Sequence, residues 1–300
     1  MSETHNPAIS VVIASIVGAP FIDECLDSLE LQAGKCGAEV IVVACGTAEF
    51  ADRIANKFPW VRVIHSAERE TVPDLRRHGV ESSSGEVVAI IEEHCVAVAD
   101  WLEQALKAHA GGDFGVVGGP VAPDGYARLR DWVVYFCEYN NYLPPWQEGG
   151  AHELGSANIA YSRAVLLKYK GQLGAGYWEA SLHPRLWADG VKFHAAAAMV
   201  VRHRGPFNYR YYLKQRYWFS RAFAGARRLA VPRRAAYLLA SPLLPFLLLA
   251  RMALRVRNKH CHIGKFILSL PLLMPVLIVY VAGEFMGYLV GPGDALLKVE

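Results

Sequence analysis

The chain has 300 residues and a formal net charge of only +3, which excludes a bulk positive field for nucleic acid. Hydrophobic residues make up 53%, high for a soluble protein, and the excess is concentrated after residue 235. The six cysteines are scattered without a CxxC pair, which excludes a disulfide frame and predicts reduced thiols in a cytosolic compartment.

The opening stretch, Met1 to Pro7, is polar and lacks a cationic-then-apolar leader, so the first domain is expected to fold in the cytoplasm. Ala8 to Ala14 is a continuous apolar strand, broken by Gly18, Ala19 and Pro20. Phe21 to Leu31 places Ile22, Cys25, Leu26 and Leu29 on one face at helical spacing. Val40 to Ala44 is a second strand, Ala48 to Lys57 a short helix and Val61 to Ile64 a third strand. This alternation predicts an α/β fold: a doubly wound, mostly parallel sheet with right-handed crossovers and helices on both faces.

Thr71 to Ser82 reads as a helix carrying Asp74, Arg76 and Arg77. Val87 to Ile91 is apolar throughout and reads as a strand buried on both faces. Glu92, Glu93, His94 and Cys95 follow at once, at the carboxyl end of a central strand, where open α/β sheets place ligands. Carboxylates beside an imidazole there suggest a cation or a cation-bound phosphate; the alternative is a solvated turn with a chance acidic pair. Asp100 is expected to cap the next helix, with Glu103 completing a capping box. Phe114 to Val117 is a strand ended by Gly118, Gly119 and Pro120.

Tyr126, Trp132, Tyr135, Phe136, Tyr139, Tyr142 and Trp146 crowd the next stretch, as a cleft wall, a membrane collar or plain core. Glu153 to Asn158 supplies glycine and serine where a backbone can approach a ligand closely. Trp178 and Glu179 precede a helix through Arg185 and Leu186 that Gly190 stops. Ala196 to Val201 is a last strand ending at Arg202, His203 and Arg204.

Tyr211 to Arg228 is a basic, aromatic helix suited to a membrane surface, or to packing on the preceding domain. Ala235 to Ala250 is apolar but, at about 1.5 Å per residue, short of a ~30 Å hydrocarbon core. Phe266 to Gly283 is long enough to span. Between them lie Arg251, Arg255, Arg257, Lys259 and Lys265, which the positive-inside rule wants in the cytoplasm. A re-entrant or in-plane Ala235 to Ala250 reconciles that rule with a cytoplasmic N-terminal domain; a two-span hairpin is the alternative. The expected division is a catalytic domain over 1–205, an interfacial helix over 206–234, membrane helices over 235–292 and a tail over 293–300.

The chain over most of residues 8–225 resembles the family 2 glycosyltransferases of the GT-A fold. Ser10 to Ile13 resembles the family's opening strand, and Leu75 to Gly79 with Ser84 to Glu86 the segment before its Asp-X-Asp. Ile91 to His94 stands where that motif stands, with Trp101 and Leu102 at the usual distance. Gly155 to Asn158 resembles the acceptor-side loop, and Glu179 to Gly190 with His203 the stretch holding the base. Gln215 to Trp218 is a loose echo of the Gln-X-X-Arg-Trp motif of processive members. Three departures stand out: no Asp near Ala44 and Cys45, Glu-Glu-His for Asp-X-Asp, and a single Glu beside Trp178.

The resemblance implies donor contacts at Ser10, Val12, Ala14, Arg76, Arg77, Glu92 and Glu93, the arginines pairing with phosphate oxygens. It implies acceptor-side roles for Gly155, Asn158 and Trp178. Arg216 and Arg221 are placed on the acceptor side by their position on the basic helix, where a lipid phosphate would lie. Glu92, Glu93, His94 and His203 are the candidate ligands of a divalent cation, Mn²⁺ or Mg²⁺, with the imidazole favouring Mn²⁺. Hydrogen bonding alone would equally explain the two histidines. Glu179 is the candidate general base, its pKa expected to be raised by Trp178; a capping or salt-bridged Glu is the alternative.

The implied activity is inverting transfer from a nucleotide-sugar, UDP favoured, to a lipid or lipid-linked acceptor at the cytoplasmic membrane face. Nucleic acid is not an expected partner. A catalytically degenerate membrane adaptor and a nucleotidyltransferase on a similar fold are the alternatives. The latter lacks the basic Gly-rich loop it would need at Ile16 to Ala19.

Overall fold

The structure, a computed structural model, describes residues 6–227 and 229–299; the expectations touching Met1 to His5, Arg228 and Glu300 lie outside these. The chain divides into two compact units: the residues up to Ala122 with Pro144–Arg204, and Pro123–Leu143 with the residues from Gly205 onward.

The strands are β1 (Ile9–Ser15), β2 (Glu39–Cys45), β3 (Arg62–Ser66), β4 (Val87–Ile91), β5 (Cys95–Ala97), β6 (Val116–Gly118), β7 (Val121–Asp124), β8 (Gly149–Gly150), β9 (Asn158–Ser162), β10 (Phe193–Ala195) and β11 (Val201–Arg204). Among the described residues they form one sheet of order β3-β2-β1-β4-β9-β6-β10-β8 and a smaller one of order β5-β11-β7. β3, β2, β1 and β4 run parallel, as the alternation of elements predicts. β9 is antiparallel to both its neighbours, β4 and β6, so the sheet is mixed.

Every residue of β4 is buried, which explains its unbroken apolar sequence. The helix Val72–Ser82 starts where Thr71 accepts a bond from the Asp74 N–H and Pro73 fits the first turn. It lies so close to β1 that a Cβ on Gly79 would overlap the Val12 side chain.

Two local expectations change. Asp100 precedes the helix Trp101–Ala110 but does not cap it; its carboxylate accepts instead from the Gln104 amide at 2.8 Å. The apolar run Ala196 to Val201 is not one strand. Met199 N donates to Ala196 O in a turn, and the Met199 carbonyl is taken by the Asn158 side chain at 2.6 Å.

The second unit is helical after β7: Leu129–Tyr139, Tyr209–Gly225, Val231–Ala240, Leu244–Asn258 and Ile263–Val290. Trp132, Tyr135, Phe136 and Tyr139 are buried, so these aromatics are core. Among the described residues two stretches are long and apolar enough to cross a membrane, Val231–Asn258 and Ile263–Val290, with mean hydropathies of 1.7 and 2.3. The first outruns the apolar segment Ala235 to Ala250 because helix continues to both sides, with a short turn at Ser241–Leu243. Ile263–Val290 packs on Tyr209–Gly225 through glycines: a Cβ on Gly283 would collide with Ser220 and the Tyr217 carbonyl, and one on Gly287 would come within 2.5 Å of the Arg221 carbonyl.

Gly119 is the tightest point of the first unit, since a Cβ there would overlap the Met199 carbonyl oxygen. Backbone cannot swing aside as a side chain does, so Gly119→Ala should cost about 3 kcal/mol or more. A thermal unfolding scan of the detergent-solubilised chain checks this; an unchanged midpoint would contradict the packing.

Candidate functional site

The parallel run of β1 and β4 puts their carboxyl ends on one edge of the sheet. β9 runs the other way and pairs Asn158 with Ile91, so its amino end reaches the same edge. The loop after Ser15, the Glu92-Glu93-His94 turn and the Gly155 to Asn158 loop therefore meet there.

Glu93 holds the first of these loops. Its carboxylate accepts from Ser15 Oγ at 2.6 Å and from the N–H groups of Ile16 at 3.0 Å, Val17 at 2.9 Å and Gly18 at 3.0 Å. Four donors on a side chain only 5% exposed leave little capacity for a cation or donor. The geometry therefore departs from the expected metal and donor roles of Glu93. Gly18 in this loop has φ +80, a conformation that suits glycine.

Arg76 links the other two loops. Its Nη2 lies 3.6 Å from Glu92 Oε1 and 3.4 Å from the Ser156 carbonyl. Ser156 in turn donates its N–H at 2.8 Å and its hydroxyl at 2.6 Å to Glu179 Oε1. Glu92, Arg76, Ser156 and Glu179 thus form one continuous chain of polar contacts. Burial pushes the Glu179 carboxyl up, but His183, Arg76 and the two Ser156 bonds outweigh it, so the net shift is downward. This corrects the expected rise. Trp178 is fully buried but donates its indole N–H to Leu173 O and packs on Tyr161, so it is core, not an acceptor wall.

His94 and His203 come together, their rings 6.1 Å apart, with His94 also 4.3 Å from the Phe21 ring. His203 sits opposite Cys95 in the β5–β11 pair. It is 3% exposed, and burial, helped by His94, holds its pKa well below the ordinary imidazole value. Among the described residues no three His, Cys, Asp or Glu side chains are grouped to hold a metal ion. Of the four expected ligands, Glu92 and His94 are the two that are partly exposed. One carboxylate oxygen and one imidazole nitrogen are donors that suit Mn²⁺.

The remaining expected residues fall elsewhere. Ser10 is buried at the opposite end of β1, donating to Glu39 at 2.7 Å and accepting from the Gly85 N–H. Val12 is core. Ala14 lies near the site edge of β1, partly buried against Ile41, Val43, Cys45 and Leu75. Arg77 turns away from Arg76 toward Asp74 at 3.5 Å and Glu81 at 3.4 Å. Asn158 is 1% exposed and is a brace: it accepts from the Trp101 indole and donates to Pro120 O and Met199 O. Gly155 is buried and accepts from the Asn158 N–H. Arg216 and Arg221 belong to the second unit. Arg216 is 7% exposed and clamps both oxygens of Glu138 at 2.6 and 2.7 Å, with Phe219 and Tyr280 on its guanidinium. Arg221 donates to the Gly291 carbonyl at 3.2 Å. Neither arrangement matches the expected role toward an acceptor phosphate.

Two residues of this edge carry weight that the sequence does not single out. Ser156 orients Glu179, and only its place in the Gly155 to Asn158 loop hints at it. His183 is 5% exposed, 2.7 Å from the Tyr161 hydroxyl, and acts electrostatically on Glu179. Burial lowers its pKa against the pull of Glu179.

The sequence profile described as Glycosyl transferase family 2 matches residues 10–169, more than half of the chain. The chain belongs to glycosyl transferase family 2. Among curated relatives, a glucosyl-dolichyl phosphate glucuronosyltransferase of Haloferax volcanii is 30% identical over 144 residues, 44% of this chain and 45% of that protein. Glycosyltransferase AglE of the same organism is 29% identical over 120 residues, 38% of this chain and 40% of that protein. The chain thus spans less than half the length of these relatives. Solved structures that resemble it include GalNAc-T7 with UDP, GalNAc and Mn²⁺, with TM-score 0.48 and 15% identity over 67% of this chain and 44% of that one. S. aureus TarS 1-349 aligns with TM-score 0.49 and 13% identity over 92% of this chain and 90% of that one. Family 2 membership carries the GT-A fold with it, and the mixed α/β sheet agrees.

Glu93 gives this family 2 protein a test. Charge-assisted bonds contribute about 1.5–3 kcal/mol each, so Glu93→Ala should release the Ser15 to Gly18 loop. The expected result is a folded protein with a lowered thermal midpoint and faster hydrogen exchange at Ile16 to Gly18. Unchanged exchange at those amides would contradict the clamp.

Proposed function

We propose that the chain moves a sugar from a nucleotide-sugar donor to a lipid or lipid-linked acceptor at the cytoplasmic membrane face, inverting the anomeric carbon. The observation that carries this reading is the Glu92–Arg76–Ser156–Glu179 chain at the ligand-binding edge of the sheet. Family membership and the names of the curated relatives support a glycosyl transfer to a lipid-linked acceptor. The two long apolar helices support a membrane setting, and the six free cysteines suit a reducing compartment. The basic run from Arg251 to Lys265 belongs at the cytoplasmic surface by the positive-inside rule, with Ala235 to Ala250 re-entrant or in-plane.

Transfer requires a neutralised diphosphate leaving group and an acceptor hydroxyl that loses its proton. Arg76 supplies a fixed positive charge at this edge, beside Glu92. A divalent cation held by Glu92 and His94 would supply further charge neutralisation at the leaving diphosphate. Glu179 takes the acceptor proton. Its lowered pKa keeps it ionised at neutral pH, and Ser156 fixes the carboxylate through Oε1. A single base acting opposite the leaving group gives inversion. UDP-sugars are the favoured donors.

Glu179→Gln should keep donor KM within about threefold and lower kcat by at least ~10²-fold. Unchanged turnover removes Glu179 from the reaction. Because its carboxyl is held below the ordinary glutamate value in the fold, the acid limb of kcat set by Glu179 should lie on the acid side of that value, with Glu179 ionised above it. A limb near neutrality would assign the base elsewhere. A nucleotide-release screen over UDP-, GDP- and dTDP-sugars, with and without Mn²⁺, tests the class. Release from none of them, with membrane lipid present, would favour a degenerate adaptor.

A further inference from the structure

The second unit holds a cleft of about 550 Å³ whose lining residues are not those of the Glu92–Arg76–Ser156–Glu179 chain. Arg128, Arg130 and Arg210 line it, together with Phe207, Asn208 and Tyr209. It lies where two helices begin, Leu129–Tyr139 and Tyr209–Gly225, whose dipoles add to the positive field. One carboxylate, Asp131, partners Arg128. Arg128 holds both its oxygens at 3.1 Å, and the Phe207 N–H donates to it at 3.0 Å. Arg130 and Arg210 have no carboxylate partner among the described residues, and the buried Nε–H of Arg130 has no acceptor there.

Two guanidinium groups without carboxylates, those of Arg130 and Arg210, in a concave site are matched by a phosphate, whose oxygens accept their N–H forks. The wall of the cleft says which phosphate. The Tyr209 hydroxyl donates to the Leu272 carbonyl at 2.6 Å, fixing this edge of the cleft to the apolar helix Ile263–Val290. Near the start of that helix, Lys265 lies over the Trp132 ring at 5.8 Å and His262 packs on it at 4.8 Å. Basic and aromatic side chains at the end of a long apolar helix are the composition of a membrane interface. A charged pocket joined to an apolar helix suits a ligand with a phosphate at one end and acyl or isoprenoid chains at the other.

We propose that this cleft binds the phosphate of an anionic lipid headgroup. Arg130 and Arg210 take the phosphate oxygens. Arg128, locked to Asp131, sets the shape of the site, and Phe207 and Tyr209 face the upper part of the lipid chain.

The test uses the full chain in detergent, without sugar donor, so it is read separately from the proposed transfer. Native mass spectrometry counts retained phosphatidylglycerol against phosphatidylcholine. Wild type should retain phosphatidylglycerol preferentially, and Arg130→Gln/Arg210→Gln should weaken that retention about tenfold while leaving phosphatidylcholine unchanged. Arg233→Gln, an exposed arginine outside the cleft, should behave as wild type. Should the double variant fail to fold, Arg210→Gln alone, at an exposed position, carries the test with a smaller loss. Equal retention of the two lipids, or equal retention by wild type and variant, overturns the proposal. Displacement of phosphatidylglycerol by low-millimolar inorganic phosphate would show a free-anion site and overturn the lipid assignment.

Discussion

The guanidinium of Arg76 carries a positive charge and is only 7% exposed. A charge so placed is tolerated only where opposite charge and hydrogen-bond acceptors surround it. The site edge follows from that constraint. Glu92 approaches from the end of β4, the Ser156 carbonyl from the loop before β9, and Glu179 acts on the same charge through space. Three segments far apart in sequence are thereby held in one electrostatic arrangement. A donor diphosphate entering this edge would take over part of the role that the carboxylates fill.

The antiparallel course of β9 makes that arrangement reachable. With a parallel strand in its place, the loop at Gly155 to Asn158 would lie at the far edge of the sheet. Asn158 then fixes the loop from beneath, binding the Pro120 and Met199 carbonyls and the Trp101 indole at once. A single buried amide joins four segments, and a backbone approach that only glycine permits at position 119 lets it do so.

Much of this was legible in the chain. The apolar runs at Ala8 to Ala14, Val40 to Ala44 and Val87 to Ile91 read as strands because they are short and rich in β-branched residues. Glu92 stands out because it follows a buried strand at the carboxyl edge of the sheet, and Glu179 because a carboxylate at a helix start is stabilised in its charged form. Direction and partner choice were not legible. Nothing in Glu92-Glu93-His94 says that the middle carboxylate turns toward the loop after β1 and takes its N–H groups. Nothing in Tyr209 to Arg221 says that Arg216 is captured by Glu138. Such pairings depend on which segments meet in space. His183 escapes the sequence for the same reason, since its effect on Glu179 exists only once both are buried together.

Gly283 and Gly287 carry a mechanical consequence. Backbone-to-backbone packing has no side-chain layer to absorb a shift, so Tyr209–Gly225 and Ile263–Val290 move as one rigid body. Tyr209 adds a bolt between them at Leu272. In a bilayer, a change in thickness that tilted the long helix would therefore turn the mouth of the arginine cleft with it.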